Sequence, residues 1–228
     1  AATFTLLDEY QRTILFGARI NYNFTDWLGL GVFGAYGAVE ITPRLSDKIQ
    51  DVNASRNCGA ANEDVLNCRL TATNLGPDFK KQIADLDWIV APQITAVPFR
   101  GKLALFQSIY VDTDLYFFAG PAFVGIKERP DCTDCTPDST FEPKSRVAIA
   151  PTFGLGFTFY INKWNAIGFE WRGLPFSWNT GGFDTAGGDP NGEFPDNQIS
   201  GDDRQFKFNQ MLTVSYNFYF PTEYRVSE

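Results

Sequence analysis

The stretch that most constrains this chain is Phe206–Phe220. Phe206, Phe208, Leu212, Val214, Tyr216, Phe218 and Phe220 fall at every second position, broken only by Gln210. Between them lie Lys207, Asn209, Met211, Thr213, Ser215, Asn217 and Tyr219. A β-strand turns successive side chains to opposite faces, so this segment has one apolar, aromatic face and one mostly polar face. Its length matters more than its alternation. Ordinary strands run about 5–6 residues, whereas a tilted membrane-crossing strand needs roughly 9–11. A long strand with aromatics gathered at its end predicts a transmembrane barrel. Residues 146–161 repeat the pattern, with Val147, Ile149, Pro151, Phe153, Leu155, Phe157, Phe159 and Ile161 on one face. The other face carries Ala148, Ala150, Thr152, Gly154, Gly156, Thr158 and Tyr160, small residues that suit the crowded interior of a narrow barrel. The alternatives are a soluble β-sandwich or a lipocalin-like barrel that buries its Phe faces inward.

The same pattern marks candidate spanning strands at 13–24, 28–39, 88–98, 114–126, 146–161, 165–178 and 205–220, and residues 2–7 resemble the end of one more. Connections at 25–27 and 162–164 are short, 99–113 is of middle size, and 40–87, 127–145 and 179–204 are long. Threading the chain in this order puts every long connection on one side, as in outer-membrane barrels with short periplasmic turns and long external loops. Seven strands and a fragment make an odd count, while bacterial single-chain barrels are even-numbered. Residues 1–7 therefore complete an eighth strand with 8–12 as a tight external loop, or an N-terminal part is missing or supplied by a partner. The expected fold is all-β: an antiparallel up-and-down transmembrane β-barrel of eight strands, the first short or truncated. It occupies one domain, 1–220, with a long external loop at 40–87 and a periplasmic tail at 221–228. That loop is too long to be bare, and a short helix is expected around Asp78–Asp85.

Hydropathy does not oppose a membrane. The mean hydropathy is −0.19, and the absence of an apolar run of about 18 residues excludes only a transmembrane helix. The chain carries no signal peptide, as expected of an exported protein that has lost it. A net charge of −8 disfavours nucleic acid as a partner, since no basic stripe replaces phosphate counterions. Asp184, Asp189, Glu193, Asp196, Asp202 and Asp203 read as solvated loop surface, or else as sites where divalent cations bridge to lipopolysaccharide head groups or a partner. No loop has the spacing of an EF-hand.

The chain contains no histidine. Nucleophilic hydrolysis with an imidazole base and His-containing zinc sites are therefore closed to it. No carboxylate pair stands out in a strand-framed cleft, so the expectation is no enzyme and no cofactor. The cysteines, Cys58, Cys68, Cys132 and Cys135, permit three pairings. Cys58–Cys68 and Cys132–Cys135 are expected, each within one external loop and formed in an oxidising compartment; redox and metal roles for the Cys132-x-x-Cys135 pair are the rivals. Arg19, Asn21, Asn23, Gln93, Glu170, Arg172, Lys207 and Asn209 fall on inward positions. Charge at membrane depth requires a wet or paired interior, so Glu170 is expected to neutralise Arg172, Arg19 or Lys207 in a lumen plug. Trp27, Trp88, Trp164, Trp171 and Trp178, with Tyr22, Tyr216 and Tyr219, are candidates for the interfacial girdle.

Pro98-Phe-Arg-Gly-Lys102, Asp114-Leu-Tyr-Phe-Phe-Ala-Gly120 and the closing Leu212–Phe220 together resemble phrases of a small outer-membrane β-barrel domain family of myxobacteria and other predatory or gliding bacteria. The resemblance spans roughly 13–220 and implies an outer-membrane barrel without a general biochemical activity. The first strand is nearly absent here, and the chain continues past Phe220, where many such barrels end on an aromatic. The expected role is a non-enzymatic structural or assembly subunit of a Gram-negative cell-envelope complex, with other envelope proteins as partners. A narrow small-solute pore and a surface adhesin or ligand binder acting through 40–87 and 179–204 are the alternatives.

Overall fold

The computed structural model describes residues 1–6, 10–54, 82–105, 109–133, 143–188, 191, 192, 194, 196 and 198–220. The strands are β1 (Ala2–Leu6), β2 (Arg12–Asn23), β3 (Leu28–Ile41), β4 (Asp85–Leu105), β5 (Ile109–Glu128), β6 (Lys144–Tyr160), β7 (Asn165–Trp178) and β8 (Gln205–Phe218), with helix α1 at Arg44–Ala54. Each strand is antiparallel to its neighbours in sequence, and β1 pairs with β8, so the sheet closes as an eight-stranded up-and-down barrel. The connections 7–11, 42–84, 129–143 and 179–204 share one end, called here the loop end. Those at 24–27, 106–108 and 161–164 share the other, the turn end.

Period-two patterning decides which way each strand faces. On β6, Val147, Ile149, Phe153 and Phe157 lie outside, while Ala148, Ala150, Thr152 and Thr158 are buried inside. On β8, Phe206, Leu212, Val214, Tyr216 and Phe218 lie outside, and Met211 and Thr213 inside. Glycine on the inner face makes room for aromatics from neighbouring strands. A Cβ at Gly156 would collide with the Tyr116 ring, and one at Gly154 with the Trp171 carbonyl and the Phe118 ring.

Two expectations need correction. The middle-sized connection at 99–113 is mostly strand, because β4 and β5 run 21 and 20 residues. Arg100 pairs with Asp114 and Lys102 with Asp112. Such opposite charges on facing strands stabilise the ladder where its apolar pattern fades. The helix within 40–87 lies at Arg44–Ala54; in the stretch 78–85, Gln82 and Ile83 form a bend and Asp85 opens β4. Residues 78–81 and the tail at 221–228 lie outside the described residues.

The first strand is as short as expected, and its register shows where it stops. Ala1 and Gly17 exchange backbone hydrogen bonds of 2.8 and 3.0 Å. Below that level Ala18–Asn23 pair with β3, and Ser215–Phe218 pair with β7. No pairing joins these two edges to each other among the described residues.

Candidate functional site: a charged plug in the barrel lumen

Inward positions of β2, β3, β4, β5, β6 and β7 converge on Glu170. Its Oε1 accepts from Arg172 Nη2 at 2.8 Å, and its Oε2 accepts from Arg19 Nη1 and from the Tyr116 hydroxyl, the latter at 3.1 Å. Arg19 also donates to Tyr116 Oη at 3.0 Å. Arg172 has no exposed surface. Its guanidinium donates to Gln93 Oε1 at 2.9 Å and Thr152 Oγ1 at 3.1 Å. It also lies between the rings of Phe33 and Phe118, 4.4 and 4.3 Å from their centroids. A buried cation held by a carboxylate, two neutral acceptors and two aromatic faces is well compensated for lost hydration. An eight-stranded barrel is just wide enough for side chains to fill it, and this network fills its middle.

A second layer closes the loop end. Glu128, 3 % exposed, accepts from Arg146 Nε, from Arg204 Nε at 2.8 Å and from the Asn179 amide at 3.2 Å. The Arg204 Nη2 group reaches Asp131 at 2.6 Å. Asp203 accepts the amides of Thr185, Ala186 and Ser200 at 2.7, 3.0 and 2.8 Å, which shapes the loop between β7 and β8. Gln82 donates to the Gly181 carbonyl at 3.0 Å, and Arg129 to the Gly182 carbonyl at 3.0 Å. Burial pushes the Arg129 guanidinium down to about 10. Ile83 and Phe183, with Tyr10 and Ile49 against them, form a small apolar cluster beneath α1. On the same rim Asp85 is pushed up to about 7, first by burial and then by the neighbouring Glu40 carboxylate, against the pull of Lys127 and a Gln11 hydrogen bond.

The structure thus unites Arg19, Glu170 and Arg172 as expected, together with Gln93, and adds Tyr116, Thr152, Phe33 and Phe118. Lys207 does not join them; its Nζ donates to Thr180 Oγ1 at 3.1 Å near the loop end. Period two gives the face of a residue, and Lys207 shares that face while standing six residues along β8 from Thr213, the partner of Glu170. Asn209 is inward and donates to the Leu174 carbonyl at 3.1 Å. Trp27 and Trp164 lie exposed in the short turns. Trp171 and Trp88 sit on the outer face, with Trp171 bonded to Gln210 Oε1 at 3.1 Å. Trp178 belongs to no outer girdle: it faces inward, 3 % exposed, its ring tilted against that of Phe176 with centroids 5.5 Å apart.

Asp184 and Asp203 are buried and are not solvated loop surface. The capping box of Ser200 and Asp203 was a sequence signal for this role; nothing local marks Glu128 or Arg129. No group of three or more His, Cys, Asp or Glu side chains placed to hold a metal ion occurs among the described residues. Cys132 forms an isolated antiparallel backbone bridge with Ile199. Cys58, Cys68 and Cys135 lie outside the described residues.

No protein-family model, no curated protein and no solved structure matches this chain.

Proposed function

We propose that this chain is a non-enzymatic outer-membrane β-barrel that serves as a structural or assembly subunit of a Gram-negative cell-envelope complex. The observation that carries the reading is the inverted polarity of the barrel. Large apolar side chains such as Phe16, Leu30, Ile94, Ile149, Phe169 and Phe218 are exposed around the outside. The lumen holds the charges. A soluble barrel would not leave such a continuous apolar surface uncovered, whereas hydrocarbon demands it. Ten residues at about 3.3 Å each, tilted about 40°, span roughly 25 Å, the height of the apolar band of such barrels. The spanning portions are 13–24, 28–39, 88–98, 114–126, 146–161, 165–178 and 205–220, with lipid and lipopolysaccharide around them.

A lumen plugged by the Glu170 network and covered at the loop end favours a scaffold over a conduit. Disulfides Cys58–Cys68 and Cys132–Cys135 staple the external loops in this reading. Extraction from native membranes in mild detergent, followed by native mass spectrometry, tests it. A particle containing other chains at fixed ratio is the expected result. A lone 25.5 kDa barrel overturns the subunit role.

A further inference from the structure

The ladder between β6 and β7 stops halfway up the barrel wall, and two prolines set the place. Ile161 donates its N–H to the Asn165 carbonyl at 2.9 Å, so odd-numbered residues of β6 and β7 turn their main-chain groups toward each other. The last reciprocal pair is Phe153↔Gly173. Two residues nearer the loop end, that register sets Pro151 opposite Pro175. Neither has an N–H, so both hydrogen bonds of that step are missing. Pro92 and Pro121 face each other across β4 and β5 in the same way, but there pairing resumes at Val90↔Phe123. Between β6 and β7 it does not resume among the described residues. Side chains stand in for the ladder instead. Thr152 Oγ1 donates to the Gly173 carbonyl at 3.3 Å, and Arg146 Nη2 to the Ser177 carbonyl at 3.0 Å. The Asn179 amide, next in line, donates to Glu128 at 3.2 Å.

Val147 and Ile149 thus turn main-chain groups toward a seam where β7 offers no paired residue. Their side chains lie outside, 54 and 71 % exposed, and Pro151 continues that apolar surface. Residues 146–151 rise roughly 15 Å at about 3.3 Å each with a tilt of about 40°, the depth of one leaflet. Unpaired main-chain groups at that depth demand a partner. An inserted β-strand does not fit, because the Thr152 and Arg146 side chains already bridge β6 to β7 at both ends of the seam. A lipid does fit: its acyl chain lies along the apolar wall while amide or hydroxyl groups near its head reach the main chain. At the mouth, Lys144 is exposed and the Arg146 side chain is 31 % exposed, a basic rim suited to phosphate. We infer that the β6–β7 seam binds one molecule of lipid A, the phosphorylated glycolipid whose acyl chains carry amide and hydroxyl groups, an inference that rests on the outer-membrane reading above.

The test is residue-resolved amide exchange of the folded protein in nanodiscs of phosphatidylglycerol, with and without lipid A. In phosphatidylglycerol alone, Val147 and Ile149 should exchange at least tenfold faster than Ala148 and Ala150, which pair with β5. Lipid A should slow Val147 and Ile149 at least tenfold and leave Ala148 and Ala150 unchanged. Native mass spectrometry should retain one lipid A per barrel. The double variant Pro151→Val with Pro175→Val returns both N–H groups and lets the ladder continue. It should protect Ile149 without lipid A and cut lipid A retention at least tenfold. Lys144→Ser leaves the seam intact and should weaken retention several-fold. Equal exchange of odd and even amides overturns the inference, as does protection by phosphatidylglycerol alone or only with a co-purifying protein. So does retention indifferent to the double variant or to Lys144→Ser. Any of these leaves the outer-membrane reading standing, whereas a chain that enters no bilayer removes both.

Discussion

Replacing Glu170 with glutamine tests the lumen network at its centre. Glu170 is the shared anion of Arg19 and Arg172, so the three groups carry one net positive charge. Glu170→Gln leaves two guanidinium groups facing each other across a buried space without a counter-ion. Removing one partner of a buried ion pair costs about 3–5 kcal/mol. With a urea dependence of about 2 kcal/mol per molar, the unfolding midpoint should fall by roughly 2 M. Arg172→Met is the contrasting case. It leaves Glu170 paired with Arg19 and Tyr116 and forfeits the bonds to Gln93 and Thr152 and the contacts with Phe33 and Phe118. Methionine refills much of the volume, so the loss should be about 1–2 kcal/mol and the shift below roughly 1 M. The assay is urea titration in phospholipid vesicles, read by tryptophan fluorescence and by the gel mobility of the folded form. Because the two sites share one network, the double variant should lose less than the sum of the singles. A midpoint for Glu170→Gln equal to or above that of Arg172→Met would refute the charge argument and leave the network as space-filling alone.

Three further outcomes follow from the loop end and the packing. Folding raises the Asp85 acid from its ordinary 3.8 to about 7, so the folded state holds the extra proton in that window. Stability should fall as pH climbs from about 4 to 7, and Asp85→Asn should flatten the difference in urea midpoint between pH 5 and pH 8. Gly154→Val drives a side chain into the Trp171 carbonyl and the Phe118 ring and should cost about 1–3 kcal/mol or more. Gly34→Ala, with open space at its Cβ, should be neutral or gain about 0.5–1 kcal/mol; denaturation midpoints compare the pair. Glu128→Gln weakens the attachment of Arg146, Arg204 and Asn179, so limited proteolysis should cut within 179–204 several-fold faster while the barrel stays protease-resistant.

Much of the fold was legible because one rule acts at every strand. Period-two alternation over long segments gave the strand faces, the antiparallel order and the sidedness of the loops. The same rule placed Arg19, Gln93, Glu170 and Arg172 inside. It could not say which of them meet, because alternation fixes the face of a residue and not its height on the barrel wall. Lys207 shares the inner face with Glu170 yet stands near Thr180. Height is set by strand register, which depends on all eight strands closing together. Closure brings Arg19 to Glu170 across 151 residues of chain, and folds the acidic loops into a cap around Glu128 and Asp203. What the sequence alone determined here is the alternation and the inventory of inward groups, since these are properties of each strand by itself. Tertiary structure decided the pairings and the cap, since each is a distance between segments that only the closed sheet brings together.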